Sequence, residues 1–170
     1  CTGKRGNSLY LVLDRSFTEK VWVMNVTKSI EIKDLVDQFQ LEVLTGGELL
    51  SKKVTKDHVR RPGLEFIKFL PFFPQHRVYV LGDNELQYLY TLTEEEREER
   101  IGNLVKYQPP CIIVTDGVEG LKYLPRYCEA RGIPLLRTEE INYEFIKKID
   151  AYLIRQLAPE IAVHGVCLNI

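Results

Sequence analysis

The sequence lacks the common signatures of phosphate-binding and hydrolytic enzymes. It contains no G-x-x-x-x-G-K-[ST] loop and no G-x-G-x-x-G turn, so no recognisable cradle for nucleotide phosphates is present. It also contains no G-x-S-x-G nucleophile elbow and no H-E-x-x-H zinc motif. The residues by themselves therefore do not predict an ATP-dependent or hydrolytic active site.

Cysteine and histidine are scarce. The four cysteines are Cys1, Cys111, Cys128 and Cys167, and the three histidines are His58, His76 and His164. No two cysteines have C-x-x-C spacing, and the histidines show no metal-like spacing among themselves or with the cysteines. Two of the cysteines lie in apolar runs, which is typical of reduced core thiols in a cytoplasmic protein. We therefore expect no metal or other cofactor in this chain.

Charge of one sign and long apolar runs are also missing. The 170 residues carry a formal net charge of −1, which argues against a nucleic acid or anionic membrane partner, because both require a basic surface. No apolar run approaches the 18 residues of a membrane-spanning helix. The 45% hydrophobic content is enough to build one buried core.

The two ends of the chain differ from its middle. Met24 is the only methionine, so we treat residues 1–23 as an extension of doubtful relevance to function, although residues 9–13 and 21–23 could form strands. Residues 163–170 form an apolar run typical of a buried strand, whereas chain termini are normally exposed. We expect an N-terminal α/β domain at 24–159 and the truncated start of a second domain at 160–170.

Between these ends, short strands and helices alternate. The predicted strands cover residues 41–44, 77–81, 111–115, 133–136 and 161–170. The predicted helices cover residues 32–39, 62–69, 121–131 and 139–157, with two more that begin near residues 83 and 93. Because helices separate the apolar strands, the pattern predicts an α/β fold with a largely parallel sheet and flanking helices.

Several helix boundaries have local signals. Thr93 and Glu96 have the spacing of a capping box, in a helix expected to end near residue 107. Asp83 or Asn84 can cap the preceding helix. The helix at 139–157 is expected to bury residues at helical spacing, namely Ile141, Phe145, Ile149, Tyr152 and Leu153.

Arg60 and Arg61 precede the predicted helix at 62–69. Two arginines at a helix N-terminus can bind a phosphate or a carboxylate. The alternative, which we favour, is that they are solvated loop charges or pair with Glu65.

Thr115, Asp116 and Glu119 follow the predicted central strand, at the edge where α/β sheets usually bind ligands. Their hydroxyl and carboxylates could serve a metal ion or an acid/base pair. The favoured alternative is an ordinary turn in which Asp116 bonds its own backbone.

His164 lies beside Gly165 in the last predicted strand. A histidine in a buried strand is usually a core residue, but the glycine would let a phosphate or another backbone approach closely.

A set of segments resembles one family, HPr kinase/phosphorylase. In chain order the segments are Arg61-Pro-Gly-Leu-Glu65, Phe73-Pro74, Arg77-Val-Tyr-Val-Leu-Gly82, Glu95 and Arg97, Pro110-Cys-Ile-Ile-Val-Thr115, Gly132-Ile-Pro-Leu-Leu-Arg-Thr138, Tyr152-Leu153, Leu157-Ala-Pro159 and Val163-His-Gly-Val166. No single segment is specific, but the order and separations are similar to those of the family from about residue 32 to residue 170.

The resemblance implies an N-terminal α/β domain joined to a C-terminal kinase domain. In the family, the P-loop, the magnesium ligands and an acid/base aspartate lie beyond the His-Gly pair. This chain would thus hold the N-terminal domain and the first strand of the kinase domain, and would be inactive alone. The parent would be a cytoplasmic homohexamer that uses ATP and Mg²⁺ to phosphorylate a serine of HPr, the phosphocarrier of the sugar phosphotransferase system. It would also dephosphorylate that serine, in carbon catabolite control.

The resemblance carries one site residue onto this chain. His164 matches a position that the family counts as part of the active site, so it is the catalytic candidate. The chain departs from the family at Asp116, where a basic residue is frequent, at residues 139–143, where paired threonines are frequent, and at residues 167–170, where a Val-Asp pair is usual.

A different function class stays open. The same domain type resembles the uridine-nucleotide-binding N-terminal domain of some Mur ligases. A stand-alone module that binds a small nucleotide-like ligand at the sheet edge is therefore the alternative. A P-loop downstream in the gene would favour the kinase, and a stop codon soon after Ile170 would favour the module.

Overall fold

The structure is a computed structural model that describes residues 9–12, 21–24, 28–63, 76–118, 121 and 123–159. The chain divides into two compact units, Ser29–Leu157 and a second unit made of Cys1–Lys28 with Ala158–Ile170. In the second unit, β1 (Leu9–Val12) pairs antiparallel with β2 (Val21–Met24). The predicted strand at 161–170 lies outside the described residues, as does the predicted helix at 62–69 from residue 64 onward.

The larger unit is built on a four-stranded sheet. The strands of this unit are β3 (Ile30–Glu31), β4 (Glu42–Thr45), β5 (Lys53–Val54), β6 (Tyr79–Leu81), β7 (Ile112–Val114) and β8 (Leu135–Arg137). The sheet has the order β4-β8-β7-β6, in which β6, β7 and β8 are parallel and β4 is antiparallel to β8. Strands β3 and β5 form a separate antiparallel pair.

Helices cover both faces of the sheet. They are α1 (Ile32–Phe39), α2 (Asp83–Thr91), α3 (Glu94–Val105), α4 (Leu124–Ala130) and α5 (Asn142–Leu157). Residues of α2, α3 and α4 pack into one apolar core, and residues of α1 and α5 pack into the other. In β7, Ile112 and Val114 belong to the first core and Ile113 belongs to the second, because successive side chains of a strand point to opposite faces. The predicted α/β fold with a largely parallel, helix-flanked sheet is confirmed.

The local helix signals have mixed outcomes. Helix α1 has the predicted bounds, and the capping box of α3 forms, with Thr93 and Glu96 each accepting a hydrogen bond from the other's backbone N–H. Gly82, and neither Asp83 nor Asn84, is the N-cap of α2. Helix α4 begins at Leu124 and not at residue 121, whereas α3 ends at Val105, close to the expected end near residue 107.

Helix α5 also begins later than predicted, at Asn142 and not at residue 139. The carbonyls of Thr138 and Glu140 accept hydrogen bonds from the amides of Gly117 and Asp116, which holds this segment in a turn against the end of β7. Ile141 is consequently 61% exposed, so its predicted burial is wrong, whereas Phe145, Ile149 and Leu153 are buried as predicted. Among the described residues, no helix is long and apolar enough to cross a membrane.

Arg97 is a buried arginine that joins three helical segments. Its Nε donates to the carbonyl of Leu89 at 2.9 Å, and Nη2 donates to the carbonyl of Leu92 at 2.7 Å. These carbonyls belong to the C-terminal end of α2, where no helical N–H is available to them. The guanidinium carbon also lies 3.9 Å from the ring centroid of Tyr123, just before α4. Arg97 therefore attaches α3 to the end of α2 and to the start of α4.

Candidate functional site

Asp116 lies at the carboxyl edge of the parallel strands, where two helices begin. Its Oδ1 accepts a hydrogen bond from the backbone N–H of Asn142 at 2.9 Å, at the first residue of α5. Its Oδ2 accepts one from the N–H of Asp83 at 3.2 Å, at the first residue of α2. Helix N-termini carry free N–H groups and a positive partial charge, so they attract anions. The carboxylate of Asp116 thus lies between the N-termini of the two helices and offsets their positive partial charge.

The backbone of the turn directs this carboxylate. Asp116 and Gly117 have φ angles of 64° and 60°, so the chain reverses sharply after β7. Aspartate is among the few non-glycine residues that tolerate this left-handed region. Thr115 Oγ1 lies 3.2 Å from both Asp116 Oδ2 and the carbonyl oxygen of Leu81, either of which can accept its hydrogen.

Of the two interpretations of the Thr115-Asp116 segment, these contacts favour the turn, but the N–H groups that bond to the Asp116 carboxylate belong to Asp83 and Asn142 and not to its own turn. In the structure, Asp116 caps the N-termini of two helices. Within the described part of the chain, no group of three or more His, Cys, Asp or Glu side chains could hold a metal ion. Glu119, the other carboxylate of that hypothesis, lies outside the described residues.

Gly82 and Asn142 lie beside Asp116 at the carboxyl edge of the sheet. A methyl group at Gly82 would lie 2.3 Å from Asn142 Nδ2 and 3.0 Å from Asp116 Oδ2, so only glycine fits there without a shift. Asn142 is 9% exposed, and both polar atoms of its amide are buried without a hydrogen-bond partner among the described residues. Gly82 and Asn142 are therefore packed closely against each other at this edge, whereas Asp116 is exposed.

Arg61 is also held by a structural partner. Its Nη2 lies 2.6 Å from Oε1 of Glu85, whose Oε2 accepts a hydrogen bond from the N–H of Gly82 at 3.0 Å. Arg61 therefore forms an ion pair with Glu85, whereas Glu65, the partner suggested by the sequence, lies outside the described residues and its pairing stays a prediction. The backbone of Arg60 forms a parallel bridge with Tyr79 and so extends the sheet beside β6.

The opposite, amino edge of the sheet contains an open cavity of about 730 Å³. Its basic lining residues are Lys52, Lys53, His76, Lys106 and Arg131. No aspartate or glutamate belongs to the lining that the structure describes. Its apolar lining residues, which are buried, are Val105, Pro109, Pro110 and Ile133. We call this the basic cavity.

Reasoning from the sequence did not predict the basic cavity. Its five basic residues are spread from Lys52 to Arg131, and none of them belongs to a motif. The only available signal was that Lys106 and Arg131 each directly follow a helix and shortly precede a strand. Parallel strands bring such positions to one edge of the sheet.

A second cavity, of about 590 Å³, lies between the end of α1 and the outer side of α5. Its lining carries charges of both signs, and Lys148 Nζ lies 2.6 Å from Glu140 Oε2. Hydrogen bonding to Glu140 raises the pKa of Lys148, and burial raises the pKa of Tyr152 in the same lining. This lining therefore contains an acidic partner for one of its two cations, in contrast to the described lining of the basic cavity.

Comparison with known proteins identifies the family. Residues 30–153 match the family model described as HPr Serine kinase N terminus. The chain belongs to this family.

Named relatives of the HPr kinase family agree with this match. A protein of Oceanobacillus iheyensis named Putative HPr kinase/phosphorylase 2 is 54% identical over 84% of this chain, and HPr kinase/phosphorylase of Bacillus cytotoxicus is 36% identical over 83%. The matches cover 47% and 46% of those proteins, so this chain spans about half the length of the curated relatives it matches.

Among solved structures, the CBS and DRTGG domains of the regulatory region of Clostridium perfringens pyrophosphatase superimpose with a TM-score of 0.48. That superposition has 16% identity and covers 76% of this chain and 47% of that chain. This likeness is too weak to carry an argument.

Three of the segments that resemble the HPr kinase family lie side by side in the fold. The segment Arg77–Gly82 holds β6, Pro110–Thr115 holds β7 and Gly132–Thr138 holds β8, so together they form the three parallel strands. Asp116, where the resemblance implies a basic residue in the family, carries the helix-capping carboxylate. The catalytic candidate, His164, lies outside the described residues, and its role stays a prediction.

Proposed function

We propose that this chain is the N-terminal part of a bifunctional enzyme that phosphorylates and dephosphorylates a serine of HPr. The observation that carries the proposal is the 54% identity to a protein named as an HPr kinase/phosphorylase, of which the chain spans 47%. The ATP site and its Mg²⁺ would belong to the other half of the protein. The whole enzyme would be a cytoplasmic homohexamer.

The N-terminal domain would contribute no catalytic group to this reaction. Phosphoryl transfer needs positive groups and a metal on the transferred phosphate. The carboxyl edge of this sheet, the usual ligand edge of α/β folds, instead presents the Asp116 carboxylate to both helix N-termini. That arrangement supports a structural role for this edge.

The first experiment compares the purified chain with the full-length protein that contains it. Each is incubated with HPr, ATP and Mg²⁺, and phosphoserine on HPr is measured by mass spectrometry. The full-length protein should transfer phosphate and, with phosphorylated HPr, remove it, whereas the chain alone should do neither. Magnesium-dependent transfer by the chain, or none by the full-length protein, would contradict the proposal. Native mass spectrometry of the full-length protein tests the hexamer.

The second experiment concerns His164 in the full-length protein. An imidazole beside the phosphate site can donate a hydrogen bond or act as a cation, so His164→Ala should slow transfer by about tenfold or more, roughly 1.4 kcal/mol. His164→Gln keeps a donor and should retain more activity. A core histidine would instead show a lower melting temperature with unchanged turnover per folded molecule, and that result would remove His164 from the active site.

A further inference from the structure

We propose that the basic cavity binds a small organic anion that carries at least two negative charges. The chain as a whole is close to neutral, with a formal net charge of −1. The cavity nevertheless gathers four Lys and Arg side chains and one histidine, with no acidic residue in its described lining. A concave surface lined by charges of one sign concentrates ions of the opposite sign.

Internal partners account for only part of this charge. Lys53 Nζ lies 2.6 Å from Oε1 of Glu31, and Lys52 Nζ donates a hydrogen bond to the carbonyl of Gly132. Neither Lys106 nor Arg131 forms a side-chain hydrogen bond or ion pair with any residue that the structure describes, and both are exposed. Lys106 and Arg131 therefore remain available to a ligand in the cavity.

The shape and floor of the cavity indicate the class of ligand. A volume of about 730 Å³ lies within the range of small-molecule sites, on the order of 300–1,000 Å³. The apolar lining residues, which include Pro109 and Pro110, can pack against the carbon skeleton of a ligand. The fork of Arg131 can bind a carboxylate or a phosphate group through two parallel hydrogen bonds, and Lys106 can bind a second anionic group. Phosphate esters and polycarboxylates share this chemistry.

Helix capping is the competing explanation. Lys106 directly follows α3 and Arg131 directly follows α4, so both cations can offset the negative ends of those helix dipoles. In that case, their removal would lower stability and the cavity would bind no anion. Binding and stability must therefore be measured on the same variants.

The experiment uses the 170-residue chain and three soluble probes at low ionic strength. Citrate represents polycarboxylates, glycerol 3-phosphate represents phosphate esters, and glycerol is the uncharged control. Isothermal titration calorimetry should give a dissociation constant of about 1 mM or tighter for at least one of the anions and no binding of glycerol. Added sodium chloride should weaken the binding, because the lining charges are exposed. If neither anion binds in this range, the proposal is wrong.

The variants test the location of the site. The double variant Lys106→Gln/Arg131→Gln should bind the anion at least about tenfold more weakly. The matched double variant Lys33→Gln/Arg126→Gln removes the same charge from exposed positions that do not line the cavity, and should bind as the unchanged chain does. Equal weakening in both variants, or a lower melting temperature with unchanged binding in the first, would overturn the proposal.

A measurement on the unchanged chain keeps the test independent of variant folding. Addition of the anion should shift the backbone amide resonances of Val105 and Ile133, which line the cavity. Shifts confined to residues outside the cavity lining would place the anion elsewhere and refute the assignment.

Discussion

The carboxylate of Asp116 should stabilise the fold by about 2 kcal/mol, because it caps two helices at once. A single capping side chain is worth roughly 0.5–2 kcal/mol, and the charge adds to this through the helix dipole. Here one carboxylate accepts the N–H of Asn142 at 2.9 Å and that of Asp83 at 3.2 Å. The two contacts attach the start of α5 and the start of α2 to the end of β7.

Three substitutions separate the capping contribution from the backbone contribution. Asp116 has a φ angle of 64°, a conformation that costs alanine roughly 1–2 kcal/mol but costs glycine nothing. Asp116→Asn keeps one acceptor oxygen and should lose about 1 kcal/mol, and Asp116→Gly should lose about 2 kcal/mol. Asp116→Ala loses both caps and adds strain, so it should lose about 3 kcal/mol.

The assay is urea unfolding of the chain, with amide hydrogen exchange as the local measurement. The amides of Asn142 and Asp83 should exchange faster in Asp116→Ala, because their acceptor is gone. Glu98→Ala removes an exposed acidic residue of α3 and should change stability by less than about 0.5 kcal/mol. The reasoning is refuted if the Asn, Gly and Ala variants lose equal stability, or if Ala costs no more than the Glu98 control.

Three further predictions follow from buried residues. Gly82→Ala should lower the free energy of unfolding by about 1–2 kcal/mol, because its methyl group would lie 2.3 Å from a buried amide. Gly102→Ala has no atom outside its own helix nearer than 4.0 Å and should raise that free energy by about 0.5–1 kcal/mol. Similar urea midpoints for the two variants would contradict this. Burial raises the pKa of the Cys111 and Cys128 thiols from 9.0 to about 12. The stability that the two protonated thiols contribute is complete below about pH 9 and is lost as the pH rises towards 12, because the thiols of the unfolded chain ionise first. The double variant Cys111→Ala/Cys128→Ala should therefore show a shallower fall in unfolding free energy above pH 9. Arg97→Lys should cost about 2 kcal/mol, because an ammonium group cannot serve both α2 carbonyls and also stack on the aromatic ring, and an unchanged melting temperature would refute that role.

The sequence alone predicted the class of fold and much of its local structure. The bounds of α1 and the capping box at Thr93 depend on residues within one or two helical turns of each other. The uninterrupted apolar run of β7 predicted a strand buried on both faces, since a parallel strand covered by two helical layers has no solvent-facing side. The helix signals hold because their interaction partners are neighbours in the chain, whereas the apolar composition of β7 reflects the burial of both its faces by distant segments.

Only the tertiary structure decided the role of the candidate site residues. The partners of Asp116 lie 26 and 33 residues away in the chain, and no local pattern reveals that its carboxylate meets two helix N-termini. The late start of α5 has the same origin, because the turn at the end of β7 uses the carbonyl of Glu140. The basic cavity exists because the order β4-β8-β7-β6 brings the amino ends of β7 and β8, and the cations that precede them, to one edge. Strand order depends on which distant apolar faces pack together, and the free energy of that packing depends on several segments at once.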